Sequence, residues 1–507
     1  MRLYLGLGLV SAMMMATPAQ AKFRRQALSV PGSVLSLSDG DLDGDGFTDL
    51  VVSYRRGSGP RARRYLAVFF RGPEGYPAKP QAAYAVPPRT AAFDVGDVVG
   101  DARDELVYLA STGVFAQRFD KRKPLAAERL LSAPSLVSGP EEEDLVAWDF
   151  VKTPAGMKQA IMVLPGRRSL RIYRRHAEGW KSWANVKLGL FSYYDAESPT
   201  YRRSGRGGAS GRPYAFRVTT IVPNLEWIDQ TGDGLVDLVT FYEDRVDVFP
   251  QSAEGKLAER AQHHRWFQML TKDELTSRDV RVSAKVRDLD ADGIADLALE
   301  KIGGGITTLA TEVRLYRGLK GGGFSARPVQ VFADEGFAAL SDFVDVDGDG
   351  RLEMVHPHSE VSIMAMSGAL LSKTLDLDVR IREPQTAGGG FFKPKPVQVL
   401  ETSYGLDFSV GASIRGAAPI FGHDFSGDAR PDVLLSEGGS AMGLHPGRGG
   451  TVARFDEDAQ AQLDAQGSNT TRAVRARRDS AQADIVVYYI ARKSLAGRIF
   501  VFVPNTR

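Results

Sequence analysis

The sequence predicts an all-β chain: a single β-propeller of eight four-stranded blades, closed by its N-terminal strand pairing into the last blade. Three observations lead there. An acidic nine-residue loop recurs five times along the 507 residues. Each copy runs directly into a β-branched strand. The copies recur at about 60 residues, the length of four short strands with their turns rather than of a helical repeat. Composition agrees, because 53 Gly and 26 Pro make a turn-rich chain without low-complexity bias. A formal net charge of +2 excludes a global field directed at nucleic acid or membrane.

Taken in order, residues 1–21 carry Arg2, an apolar stretch over 3–17 and the small-x-small triplet Ala19-Gln20-Ala21 before Lys22, the pattern of a cleaved export signal. That run is shorter than the ~18 apolar residues of a membrane anchor, and no later segment is long and apolar enough to span. The expectation is an exported, periplasmic or extracellular protein with no membrane span after cleavage. The chain has no cysteine, so disulfides are excluded and stability has to come from packing, ring closure and metal.

Residues 23–30 read as an outer strand with no blade of its own. The first unit follows: the loop 41–49, then strands at 50–54, 65–70, 81–86 and 90–93. A second loop, 97–105, keeps Asp97, Asp101 and Glu105 but has Val99 at its third position. A third unit, around Trp148 and Asp149, keeps strands at 160–163 and 170–173 and has lost the loop chemistry. Loops starting at Asp229, Asp288 and Asp345 lie 59 and 57 residues apart, and the next interval, to Asp424, is 79, which marks an insertion near 362–395. The last unit, with strands at 483–489 and 498–503, stops short of its fourth strand; residues 23–30 supply it and close the ring. The count is eight blades, or seven if one degenerate copy is not a blade.

The five full loops place oxygen donors at positions 1, 3, 5 and 9, with a Gly or Ala turn at 6. They are Asp41, Asp43, Asp45 and Asp49; Asp229, Thr231, Asp233 and Asp237; Asp288, Asp290, Asp292 and Asp296; Asp345, Asp347, Asp349 and Glu353; and Asp424, Ser426, Asp428 and Asp432. Tight turns favour Asp and Gly anyway, but a turn needs one or two of them, not four donors at fixed spacing. Four carboxylates within nine residues repel one another unless a cation sits among them, and hard oxygen donors suit Ca²⁺ better than Zn²⁺. An EF-hand is excluded, because its bidentate Glu at position 12 is replaced by Val52, Thr240, Leu299, His356 or Leu435 and the flanks are strands.

The form Asp-x-Asp-x-Asp-Gly-x-x-Asp followed by a Leu-Val-Val-like strand resembles the FG-GAP or VCBS repeats of integrin-α-type β-propellers, over essentially the whole chain after residue 21. The resemblance implies that positions 1, 3, 5 and 9 bind calcium together with a main-chain carbonyl at position 7. Here those carbonyls belong to Phe47, Leu235, Ile294, Arg351 and Arg430. The departures are Val99, Ala at position 6 in two loops, and the absence of a clear Gly-Ala-Pro box; they bear on the second unit's metal rather than on the fold. About five structural Ca²⁺ sites are expected. At extracellular-module affinities near 10⁻⁴ M and about 1 mM calcium, each contributes roughly 1.4 kcal/mol.

No catalytic motif is present: neither His-Glu-x-x-His, Gly-x-Ser-x-Gly, a phosphate-binding loop nor a nucleophilic cysteine. His263-His264 and His356-Pro-His358 are read as solvated or turn histidines. The Gly- and Arg-rich stretch 201–212, within an insertion near 193–215, is read as a solvated loop. Two other basic groups, Arg55, Arg56, Arg61, Arg63 and Arg64 near the first blade and Arg475, Arg477 and Arg478 near the last, would form one patch if closure brings them together. A short helix is expected at 362–372. The expected function is a monomeric, non-enzymatic calcium-binding module that presents its loops to a protein or carbohydrate ligand, with no nucleic acid. The alternatives are a polysaccharide lyase or other glycan-acting enzyme, and a structural subunit of a cell-envelope assembly.

Overall fold

The run Leu50-Val51-Val52 shows how the sequence builds the sheet. It is continuously apolar rather than alternating, although successive side chains on a strand point to opposite faces. Both faces of this strand are covered. In the computed structural model β1 (Phe23–Ser29) precedes a sheet in which β2 (Ser33–Gly40), β3 (Asp49–Arg56), β4 (Arg63–Phe69) and β5 (Ala82–Ala85) pair in sequence order. Leu50, Val52 and Tyr54 of β3 pack against Val486, Ile499 and Val501 of the last blade. Val51, with Leu66 and Val68 of β4, packs against Leu106 and Tyr108 of the second blade. Each fully buried side chain of this size contributes roughly 1.5–3 kcal/mol.

The described residues are 23–505 without 58–61, 88, 134–144, 167, 189–191, 195–217, 272–273, 275–279, 304–309, 339–340, 360–370, 386–387, 408–412, 449–453, 466–469 and 491–492. The export signal, Arg61, the stretch 201–212 and all but the last two residues of the 362–372 helix lie outside them.

Eight blades make the ring. After the first, β6 (Thr90–Gly96), β7 (Glu105–Ala110) and β8 (Gly113–Gln117) form the second with an outer strand Glu128–Leu131, and Val146–Ala147 runs parallel to β6. Four-stranded antiparallel sheets follow over 151–187, 224–266 and 281–335. The sixth blade is enlarged: its inner edge is broken into Phe337–Ala338 and Asp342–Val344, both pairing with Glu353–Ser359, and its outer strands Thr374–Arg382 and Gln398–Asp407 are long. The seventh covers 420–464. The last combines Thr470–Arg475, Ala483–Tyr488 and Arg498–Pro504 with β1 as its outer strand. Phe23 stands opposite Pro504 and Ser29 opposite Arg498, so the ring closes as the sequence predicts and the count is eight, not seven. Among the described residues the core is distributed in the same way, as eight apolar clusters, each between two adjacent blades.

The sequence repeat and the blade are out of phase by one strand. The strand at Thr90 pairs with β7 as the innermost strand of the second blade, rather than ending the first. The first blade's own inner strand, β2, is the one the repeat had left out. Inner strands line the central channel, and neighbouring ones are joined there by ion pairs: Arg472 with Asp39, Arg287 with Glu226, and Lys285 with Asp342. The Asp94 carboxylate on β6 accepts the N–H groups of Phe150 and Val151 at 2.8 Å and so ties the second blade to the third.

The expected shared basic patch does not form. Arg55, Arg56, Arg63 and Arg64 lie at the turn between β3 and β4, the end of the blade opposite the acidic loop. Arg475, Arg477 and Arg478 lie in the loop between the inner and second strands of the last blade, the end that carries the acidic loops, where Phe47 bridges to Arg477. Closure joins the blades, but strand direction separates the two groups.

Candidate metal centres

Each acidic loop joins the inner strand of its blade to the second strand, so all five stand at the same end of their blades. Their backbone is folded by their own carboxylates. Position 1 accepts two or three loop N–H groups: Gly44 and Gly46 donate to Asp41 at 2.8 and 3.0 Å, Gly232 and Gly234 to Asp229 at 2.8 and 2.7 Å with Asp233 at 3.3 Å. Asp292 and Gly293 donate to Asp288, Gly348 and Gly350 to Asp345, and Gly427 and Ala429 to Asp424. Position 5 accepts from position 7, which sets the orientation of Phe47, Leu235, Ile294, Arg351 and Arg430 at 2.8–3.0 Å from Asp45, Asp233, Asp292, Asp349 and Asp428. Two positions, not one, require the left-handed backbone: position 4 as well as position 6, with φ of 78° and 85° at Gly44 and Gly46. Ala291 and Ala429 adopt it without glycine, at 59° and 66°.

Position 9 opens the second strand and is saturated from two sides. Asp49 accepts the Leu42 N–H on one oxygen and the Arg71 N–H on the other, both at 2.9 Å. Asp237, Asp296 and Asp432 repeat this with Gln230 and Gln251, with Leu289 and Gly318, and with Phe425 and Gly447. Glu353 accepts from Val346. Burial pushes these carboxyls up against that support, Asp49 and Glu353 to about 8, Asp296 to about 7 and Asp432 to about 6, and the other loop aspartates add to the rise for Asp49, Asp296 and Glu353. Burial raises Asp237 too.

Position 3 does least in folding the loop: Asp43 and Asp347 accept only the N–H two residues on, at 3.3 and 3.2 Å, and Asp290 Oδ1 accepts none. The degenerate loop 97–105 makes the comparison: Asp97 and Glu105 accept the same loop N–H groups, with Val99 between them. Where position 3 is Asp, one oxygen each of Asp41, Asp43 and Asp45, of Asp288, Asp290 and Asp296, and of Asp345, Asp347 and Glu353 lie within 4.8 Å of one another. A cation with oxygen ligands at 2.3–2.6 Å fits a set of that span. In the Asp288 loop, Asp290 Oδ1 is buried with no hydrogen-bond partner. Thr231 is buried beside Asp237 and its hydroxyl has no hydrogen bond of normal geometry, while the Ser426 hydroxyl donates weakly, at 3.4 Å, to Asp432. The residues fit a hard cation. Protein cations reach two of the three sets: Arg122 pairs with Asp43 and Asp45, and Arg317 with Asp290 at 3.1 Å. Among the described residues no Lys, Arg or His pairs with the carboxylates of the Asp345 loop.

His264 is solvated, with its side chain 46% exposed, but the second histidine pair is not a solvated turn. His356 and His358 are buried on the strand Glu353–Ser359. The Ser341 hydroxyl lies 2.7 Å from His356 Nδ1 and 3.1 Å from Glu300, and His356 Nε2 is 3.4 Å from Asp334, which Arg380 also holds. This row of serine, histidine and acid is a strut between the fifth and sixth blades, because Ser341 is only 2% exposed and its hydroxyl is engaged by Glu300. His264 bonds Asp247 and His263 bonds the Gly321 carbonyl.

Glu300 supplies a prediction. Burial pushes its carboxyl up to about 7. Below about pH 4.5 it is protonated in both the folded and unfolded chains; above that the unfolded chain loses the proton first, so stability falls until about pH 7 and then levels off. Glu300→Gln keeps an acceptor and removes the charge. The wild-type unfolding free energy, measured in urea relative to that variant, should fall by roughly 3 kcal/mol between pH 4.5 and 7; a pH-independent difference would refute it.

No family model matches the chain, and no curated protein does. Solved structures do. The chain is similar to BBS1N in a complex with ARL6DN, at 9% identity and a TM-score of 0.38, over 83% of this chain and 94% of that one. It is similar to the Dos1 propeller, at 6% identity and a TM-score of 0.37 over 95% of each chain. It is also similar to an Agrocybe aegerita lectin that recognises non-reducing terminal N-acetylglucosamine, at 14% identity and a TM-score of 0.35, over 86% of this chain and 81% of the lectin. At these values nothing about function passes from them to this chain.

Proposed function

We propose that the chain is an exported, calcium-stabilised propeller of the FG-GAP or VCBS type, acting as a non-enzymatic module whose loop faces bind a protein or carbohydrate ligand. The observation that carries the reading is the unsatisfied oxygen of Asp290. A buried acceptor without a partner costs about 1–3 kcal/mol, and a divalent cation held with Asp288 and Asp296 would relieve it and their mutual repulsion. The Asp345 loop offers the same three-carboxylate set with no protein cation beside it among the described residues. The hydroxyl loops at Asp229 and Asp424 follow, with Thr231 and Ser426 as weaker donors. Calcium would supply a positive centre that fixes the loop end of each blade, and no chemistry beyond that is required of it.

Residues 1–21 would direct export and be removed, which N-terminal sequencing of the secreted chain tests at Lys22. Binding is the use a rigid disc with two loop faces supports best. Melting the chain from residue 22 in excess EGTA, in millimolar Ca²⁺ and in Mg²⁺ tests the metal. At calcium ten times the dissociation constant each filled site adds about 1.4 kcal/mol, so two or three sites give roughly 3–4 kcal/mol and a calcium-specific rise of a few degrees. Identical melting in all three would end the calcium reading.

A further inference from the structure

The Asp41 loop differs from the other two carboxylate loops in having a cation that bridges two of its carboxylates. Arg122 sits in the two-residue turn between Phe119–Asp120 and Lys123–Pro124, a small hairpin that follows β8 of the second blade. Both turn residues, Lys121 and Arg122, adopt the left-handed backbone, with φ of 47° and 65°. From there the guanidinium crosses to the first blade. Its Nε donates to Asp43 Oδ2 at 2.7 Å and its Nη2 to Asp45 Oδ2 at 3.2 Å, and it lies 5.6 Å from the centre of the Phe70 ring. These carboxylates are positions 3 and 5, two of the donors a bound divalent ion would use. Arg317 at the Asp288 loop does less, since it meets one oxygen of Asp290 and leaves the other without a partner.

We propose that Arg122 is a tethered counter-cation that competes with calcium for Asp43 and Asp45, so that the Asp41 loop fills only when the ion displaces the arginine; this rests on the calcium reading above. The guanidinium has the fixed fork that suits two carboxylate oxygens, and its two hydrogen bonds are charge-assisted at both ends. It carries one charge where calcium carries two, so the exchange is reversible rather than barred. The consequence is a graded molecule. The Asp288 and Asp345 loops fill first, the Asp41 loop fills at higher calcium, and its filling releases Arg122 to solvent at the boundary between the first and second blades. Calcium concentration then sets the charge of that boundary without any change of fold.

The test is a calorimetric calcium titration of residues 22–507, as wild type and as Arg122→Gln, with far-UV circular dichroism to confirm that both are folded. The weakest calcium step of the wild type should tighten about five- to tenfold in the variant, the size expected from losing two partly exposed ion pairs. Adding Asp43→Asn to Arg122→Gln should abolish the tightened step and so assign it to this loop. In EGTA the variant should melt below wild type, because Asp43 and Asp45 are left facing each other, and calcium should raise its melting point by more. Superimposable isotherms would overturn the role of Arg122 and leave the calcium reading standing. Absence of calcium heat in both proteins would overturn that reading, and this inference with it.

Discussion

A variant lacking residues 23–29 should lose cooperative folding or unfold at a far lower urea concentration than the intact chain. β1 gives the last blade its outer strand through seven paired positions. It also carries side chains into both neighbouring interfaces: Leu28 into the cluster shared with the first blade, Phe23 into the one shared with the seventh. At roughly 1.5–3 kcal/mol each, these two side chains alone represent about 3–6 kcal/mol, against a total stability of about 5–15 kcal/mol for a typical folded protein. The loss extends past the strand itself. Arg24 pairs with Glu74, and Gln26 accepts the Tyr76 N–H at 2.8 Å, so β1 is also what fastens the last blade to the turn after β4. Without it Arg498–Pro504 becomes an open edge of apolar residues, a template for association between chains. A synthetic peptide covering 22–31, added in excess, should pair with that edge and restore part of the transition. An unchanged urea midpoint in the truncated chain would mean that the ring does not depend on this closure.

The fold was legible because its strongest signal is local. Leu50-Val51-Val52 and Ile485-Val486-Val487 are uninterrupted apolar runs, and only a strand covered on both faces needs one; a propeller covers its middle strands with adjacent blades. The phase of the repeat was less visible. Inner strands such as Ser33–Gly40 and Asp342–Val344 face the channel on one side, so they are half polar and lack the continuous apolar run of the middle strands. In the loops, the four-donor spacing was legible, but it mixes two demands. Positions 1, 5 and 9 fold the loop through backbone N–H groups, as the loop 97–105 shows with Val99 in place; position 3 adds only a long contact of 3.3 or 3.2 Å in two loops, so it is the position that speaks most for a metal. The partners of these carboxylates were out of reach of any local pattern. Arg122 lies 79 residues from Asp43, Arg317 reaches Asp290 from just beyond the strand Ala310–Tyr316, and His356, which pairs with Arg380, is buried in the sheet of the sixth blade.

The last blade shows what a position-9 carboxylate does when its loop has lost the other acids, and it yields the second large expected effect. Asp484 is the second residue of Ala483–Tyr488, one step in from the place Asp49 holds at the start of β3, but the loop before it runs Ala476-Arg477-Arg478-Asp479. The side chain of Arg71, in the first blade, takes over as its partner at 2.8 and 3.3 Å, with the carboxylate fully buried and the guanidinium 6% exposed. Burial pushes the Asp484 carboxyl up, and Arg71 holds it back only in part. A pair so desolvated adds little net stability while it is whole and is expensive to break. Asp484→Ala should therefore destabilise the chain by about 3–5 kcal/mol, because it strands the guanidinium between Phe47 and Tyr76. Arg71→Ala should cost a similar amount by stranding the carboxylate, while the Arg71 N–H still serves Asp49. Replacing both, as Arg71→Met with Asp484→Leu, should recover most of the loss, because apolar side chains of similar volume remove the burial penalty together with the attraction. Urea denaturation of the two alanine variants and of this pair provides the comparison. Single-variant losses below about 1 kcal/mol would show that water reaches the pair and that the first and last blades are held by the apolar cluster and β1 alone.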